Sequence, residues 1–102
     1  MKILAITACT AGIAHTYIAK EKLEHAAREM GDFIKVETQG SIGVENELTP
    51  EDIKDADVIL IAADIRVGKE RFTGKAVVDV PISMIMKSPK SVISKIHEKL
   101  GK

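Results

Sequence analysis

Two short runs, Lys2–Ala8 (KILAITA) and Asp57–Ala63 (DVILIAA), are apolar almost throughout instead of at alternate positions. A strand with one wet face alternates, whereas a strand covered on both faces has no reason to. Both runs therefore predict interior strands of a parallel sheet with helices packed on each side. That expectation governs the reading of everything between and after them.

Behind the first run stands a turn-like stretch, Cys9-Thr10-Ala11-Gly12. A helical pattern follows from about Ile13 to Met30, with Thr16, Ala19, Leu23, Ala26, Ala27 and Met30 on one face and Gly31 placed to end it. Phe33–Thr38 alternates as an edge strand would, and residues 39–47, rich in Gly and polar side chains, predict an irregular loop. Thr49-Pro50-Glu51-Asp52 is a helix start, with Thr at the N-cap, Pro in the first turn and acids beside it; that helix ends near Asp55. Beyond the second apolar run, Ala76–Val80 predicts a fourth strand and Pro81–Met86 a short helical turn. Ser88-Pro89 opens a last helix whose buried stripe is Val92, Ile93, Ile96 and Leu100. Strands alternating with helices imply right-handed crossovers. The expected architecture is α/β: a Rossmann-like, three-layer α/β/α domain over residues 1–102, with a four-stranded parallel sheet of order 2-1-3-4 and the active-site loop after strand 1.

Charge and composition remove several function classes. Fifteen Lys and Arg balance fifteen Asp and Glu, so no global field draws in nucleic acid or an anionic membrane. Aromatic residues are 3% of the chain with no Trp, too few for base-stacking platforms. No apolar run approaches the roughly 20 residues of a membrane span, and the N-terminal apolar stretch reads as a strand in preference to a signal peptide. One cysteine allows no intrachain disulfide and no all-cysteine metal site. The three histidines, His15, His25 and His97, lack the close pairing of a metal centre, and His25 and His97 fall on expected solvent-facing helix positions. The expectation is a cytoplasmic protein with no metal, no cofactor and a reduced thiol.

In a sheet of order 2-1-3-4 the connections reverse direction beside strand 1, and ligands bind there, outside the carboxyl ends of the strands. Cys9 lies at that point, between a strand end and a helix N-terminus. The unpaired N–H groups and the dipole of the helix favour a thiolate and a tetrahedral anion beside it. Gly12 lets the backbone approach such an anion closely. The alternative is a buried cysteine packed as a small hydrophobe. Some sharper readings are excluded. A dinucleotide fingerprint needs more glycines than Gly12, and the Gly-Lys-Ser/Thr of a Walker loop is missing. Thioredoxin chemistry needs a second cysteine at position 12. The cysteine phosphatase loop, Cys-x5-Arg, would place Arg where His15 stands.

The stretch Cys9-Thr10-Ala11-Gly12-Ile13-Ala14-His15-Thr16-Tyr17 resembles the active-site loop of the fructose-family enzyme IIB of the bacterial sugar phosphotransferase system, whose usual form is C-P-T-G-I-A-H-T. The resemblance continues through Val36-Glu37-Thr38-Gln39-Gly40-Ser41, Gly43, Asn46, Leu48-Thr49, Glu51-Asp52-Ile53, Ala56-Asp57, Ala63-Asp64, Arg71-Phe72 and Gly74-Lys75. It departs at Thr10 and Ala11, which leaves the loop less pre-set and removes a hydroxyl. The resemblance implies a phosphoryl relay. Cys9 would take the phosphoryl group from a phosphohistidine of enzyme IIA and pass it to a sugar carried by the membrane enzyme IIC. The amides from Thr10 through Ala11, Gly12, Ile13, Ala14 and His15 to Thr16 would cradle its oxygens.

His15 is placed either to hydrogen-bond the phosphoryl group or to order the loop, and Thr16 either to share that role or to cap the helix. Arg66, Arg71 and Lys75 after strand 3, and Gln39 after strand 2, are candidates for phosphate or partner contact, against the reading of solvated loops. Two other functions stay open: a regulatory phosphate-binding module on the same fold, and a small cysteine phosphatase.

Overall fold

A computed structural model describes residues 1–8, 13–40, 43–64 and 67–101, with only the backbone of residues 13–15 and 40. The elements run β1 (Lys2–Ala8), α1 (Ile13–Glu29), β2 (Phe33–Gly40), β3 (Gly43–Glu45), α2 (Pro50–Asp55), β4 (Val58–Ala63), a 3-10 turn (Glu70–Phe72), β5 (Val77–Val80), α3 (Ile82–Lys87) and α4 (Pro89–Leu100). The sheet order is β3-β2-β1-β4-β5. β1 pairs in parallel with both β2 and β4, and β4 in parallel with β5.

The expected four parallel strands thus stand in the expected order, with one correction. The sheet has five strands, because β3 folds back antiparallel on β2, with Thr38 opposite Glu45 and Gly40 opposite Gly43. The segment read as an irregular loop is therefore largely a hairpin arm, and β2 is an interior strand two residues longer than its alternating core. Gly43 (φ 114°) and Asn46 (φ 55°) take the positive φ values that open and close the short arm. A three-residue strand carries no periodicity from which it can be read.

Alternation along β1 distributes its side chains over two cores. Ile3 and Ala5 face one side with Val36, Val58, Leu60 and Ala62; there Ala19, Leu23 and Ala26 of α1, Ile82 and Ile85 of α3, and Val92, Ile93 and Ile96 of α4 cover them. Leu4, Ile6 and Ala8 face the other side with Ile59 and Ile61, covered by Leu48, Ala56, Val67 and Phe72. Both faces of β1 are thereby buried, which is why its sequence is apolar at successive positions. The two outer layers are unequal: three helices stand on one face, and the six-residue α2 and the 3-10 turn on the other. On that thin side Phe72 supplies much of the cover, and truncating a buried Phe costs about 3–5 kcal/mol.

Local signals are obeyed where they are strong. Thr49 caps α2 in a capping box, its hydroxyl accepting from the Asp52 N–H while the Asp52 carboxylate accepts from the Thr49 N–H. Gly101 ends α4 in the left-handed conformation. His97 departs from its expected solvated place. Its side chain is largely buried and its Nε2 lies 2.5 Å from Asp32 Oδ2.

Candidate functional site

The connection from β1 leads through α1 to β2 on one flank, and the chain then crosses to β4 on the other, so the strand order reverses between β1 and β4. Residue 9 directly follows β1 in the sequence, and α1 begins at Ile13. Cys9, Thr10, Ala11, Gly12 and Arg66 lie outside the described residues, as do the side chains of Ile13, Ala14 and His15.

The two ends of the Cys9 segment are held firmly. The Asp64 N–H donates to the Ala8 carbonyl at 3.1 Å, locking the end of β1 to the start of the segment after β4. Thr7 Oγ1 donates to the Thr16 carbonyl at 3.3 Å, locking the first turns of α1 onto β1. Thr16 itself is buried. The first turn of α1 holds no acidic side chain, so nothing there offsets the partial positive charge of the helix end.

Three segments form the rim around this end of the sheet. The first is the β2–β3 hairpin. Asn46 Nδ2 donates to the Val36 carbonyl at 2.9 Å and closes it. The Tyr17 hydroxyl donates to Glu45, fastening α1 to β3; that hydrogen bond is the main reason the Tyr17 phenol is held above its ordinary value. The second segment runs from Val67 to Lys75. The third is the first turn of α1.

Between the segment leaving the hairpin and the segment from Val67 to Lys75 lies a carboxylate that the sequence pattern did not single out. Glu37 is buried in β2, in register with Ile6 of β1. Arg71 grips it with both terminal nitrogens, at 3.0 and 2.9 Å. Gln39 Nε2 donates to it at 2.7 Å and the Leu48 N–H at 2.9 Å. Burial pushes the Glu37 carboxyl upward, but these donors outweigh burial and hold it below its ordinary value, ionised at neutral pH. Arg71 also lies over the Phe72 ring, 5.1 Å from its centroid.

Of the four residues proposed from sequence for phosphate or partner contact, three are thus described, and each is bonded within the chain. Gln39 and Arg71 serve Glu37. Lys75 Nζ donates to the carbonyls of Lys54 (2.8 Å) and Ala56 (3.0 Å), capping the end of α2. Glu37 escaped the sequence reading because a Glu among alternating residues of an edge strand reads as solvated. The available signal was Arg71, whose buried partner was unknown.

Among the described residues no cluster of three or more His, Cys, Asp and Glu is placed to hold a metal ion, and no helix is long and apolar enough to cross a membrane.

Comparison with known proteins identifies the family. The family model for the phosphotransferase system lactose/cellobiose-specific IIB subunit matches residues 4–95. The chain is 52% identical over 101 residues to the fructose-like EIIB component 2 of Escherichia coli (strain K12), covering 98% of this chain and 95% of that protein. It is 49% identical over 94 residues to the fructose-specific EIIABC component of Bacillus subtilis (strain 168), covering 92% of this chain and 15% of that longer protein. Its fold superimposes with a TM-score of 0.89 on a domain of the fructose-specific IIABC component of Borrelia burgdorferi, at 47% identity over 92% of this chain and 90% of that one. By these matches the chain belongs to the IIB family of the sugar phosphotransferase systems and stands among its fructose-like members.

Proposed function

We propose that residues 1–102 act as one IIB-type domain that carries a phosphoryl group on Cys9 between two partners. The P–N bond of a phosphohistidine on enzyme IIA breaks as a P–S bond forms at the Cys9 thiolate. The P–S bond then breaks as a hydroxyl of a sugar held by the membrane enzyme IIC takes the phosphoryl group, and the hydroxyl proton passes to the leaving sulfur, which restores the Cys9 thiol. The observation that carries this reading is the position of the chain's sole cysteine directly behind β1 and ahead of α1. Amide N–H groups from Thr10 to Thr16 cradle the three oxygens, and the helix end supplies positive potential without any reorganisation during transfer. Arg66 remains the basic residue for phosphate or partner contact; Gln39, Arg71 and Lys75 shape the rim from which it acts. The sugar is fructose or a close analogue, and no cofactor takes part. The domain works on the cytoplasmic side and meets the membrane through enzyme IIC. The name of the Bacillus subtilis relative, an EIIABC component, supports A and C components as the partners.

Cys9→Ser tests the assignment. Phosphorylated enzyme IIA should label the wild-type chain once, on Cys9, and the label should persist until an enzyme IIC with sugar is added. Cys9→Ser should pass nothing to sugar, since a phosphoserine ester is a far poorer donor than a phosphothioester. Full relay by Cys9→Ser refutes the reading. Rapid loss of label to water identifies a phosphatase instead, and stable label with no transfer to sugar a regulatory module.

A further inference from the structure

The segment from Val67 to Lys75 holds little structure of its own, a single three-residue 3-10 turn. It is fixed from outside. Phe72, 2% exposed, and Val67 insert into the core beneath it. Lys69 Nζ pairs with Asp79 Oδ2 of β5 at 2.5 Å, and Lys75 caps α2. All of these attachments lie on the β4–β5 flank or on the thin layer. Arg71 alone among those described reaches to β2, on the opposite flank of β1. Since Glu37 is in register with Ile6, this clasp spans β1 two residues before the strand ends at Ala8 and the chain passes to Cys9.

Stability does not explain such a pair. Taking Glu37 out of water costs much of what its attraction to Arg71 returns, and two well-packed apolar side chains would hold the fold at least as well. What a guanidinium fork on a carboxylate adds is geometry, because two parallel hydrogen bonds admit one orientation. The carboxylate is oriented in turn by Gln39 and by the Leu48 N–H, which joins the segment leaving the β2–β3 hairpin. Both arms of the rim are therefore registered against one buried group.

We infer that Glu37 is a positioning residue for phosphoryl transfer: through Arg71 it holds the segment from Val67 to Lys75 across the end of β1, so that the rim around Cys9 is set before a partner arrives. The inference rests on the reading of Cys9 as the phosphoryl carrier. Glu37 touches neither phosphate nor partner; it acts through Arg71. Arg71 is correspondingly a fixed wall of the rim and not a mobile cation reaching for phosphate.

The test is the rate of transfer from phosphorylated enzyme IIA to Glu37→Gln and Arg71→Lys, normalised to the cysteines that finally take label. Glu37→Gln keeps the shape and removes the charge; Arg71→Lys keeps the charge and removes the fork. Misplacement near a reacting centre by about 1 Å costs up to roughly 100-fold, so each variant should lose about tenfold or more in kcat with KM changed less than about twofold. A role confined to stability would lower the urea midpoint and the labelled fraction but leave kcat per labelled cysteine unchanged, and that result overturns the inference. Should Glu37→Gln not fold, Arg71→Lys decides: wild-type kcat in that variant overturns the inference, and a tenfold loss upholds it. If the wild-type chain takes no label on Cys9, the carrier reading has failed, an outcome distinct from unequal rates among labelled proteins.

Discussion

His97 and Asp32 stand 65 positions apart in the chain and 2.5 Å apart in the fold. An ionised carboxylate can only accept, so His97 Nε2 donates, and α4 is tied to the turn between α1 and β2. The other oxygen of Asp32 accepts from the Met1 ammonium at 3.1 Å. Burial works to raise the Asp32 carboxyl, but the His97 and ammonium hydrogen bonds leave it below its ordinary 3.8. Its stabilisation is accordingly full above pH ~3.8 and disappears as pH falls through the lower folded value. His97→Leu, which leaves a nearly inaccessible carboxylate short of a donor, should cost about 1–3 kcal/mol at pH 7 by urea unfolding. The stability of Asp32→Asn should start lower and fall less steeply on acidification below 3.8. Parallel acid profiles for wild type and Asp32→Asn would show that the pair contributes nothing.

Asp52 gives a second and separate acid-sensitive contact. Lys35 Nζ lies 2.6 Å from its carboxylate, and the Thr49 N–H donates to the same oxygen at 3.0 Å. These bonds, the Lys35 bond first, lower the carboxyl from 3.8 to about 2. A depressed acid stabilises the fold above its unfolded value and loses that effect as pH drops from about 3.8 to about 2. The profile of Asp52→Asn should therefore converge on that of wild type across this window. Thr49→Ala, which removes the other half of the capping box, should cost about 1 kcal/mol at neutral pH. A constant gap between wild type and Asp52→Asn from pH 5 to pH 2 would contradict the assigned cause.

Residues whose environment is set by their neighbours in sequence were legible, and those set by distant partners were not. The apolar runs of β1 and β4 reported their own burial, and Thr49-Pro50 and Gly101 marked helix ends. Nothing local distinguishes Glu37 from Lys35 two residues earlier, yet one is buried beside Arg71 and the other pairs with Asp52 at the edge of the thin layer. Helical periodicity turned His97, next to Ile96 of the buried stripe, toward solvent, and its distant partner Asp32 overrides that reading. β3 was hidden because three residues hold no period and its register is imposed by β2.

Asn46 shows how a loop residue carries such imposed structure. Its φ of 55° is costly for most L-residues, while its side chain bonds the Val36 carbonyl across the hairpin. Asn46→Ala should lose both advantages and cost about 2 kcal/mol, and Asn46→Gly only about 1, because glycine retains the backbone freedom. Equal losses in the two variants, read from urea midpoints, would mean that the backbone conformation at 46 carries no strain.

A relay of the proposed kind must present one surface to two partners. Cys9 follows β1, so enzyme IIA and the sugar-loaded enzyme IIC have to approach the same end of the sheet, and their binding should be mutually exclusive. Each complex must also dissociate between transfers, which fits a small interface of about 1,200 Å² or less. The helices α1, α3 and α4 cover one face, and α4 contributes Val92, Ile93 and Ile96 to that core, away from the thin layer that holds Phe72. Titrating the isotope-labelled chain with enzyme IIA should therefore shift amides of residues 10–16, 39–46 and 66–75, and leave Pro89–Leu100 unmoved. Adding membranes that carry enzyme IIC should reverse those shifts in proportion to the enzyme IIC supplied. Shifts confined to α4 with a silent rim, or a stable complex of all three proteins, would show that the docking surface lies elsewhere and that the end of β1 is not where the partners meet.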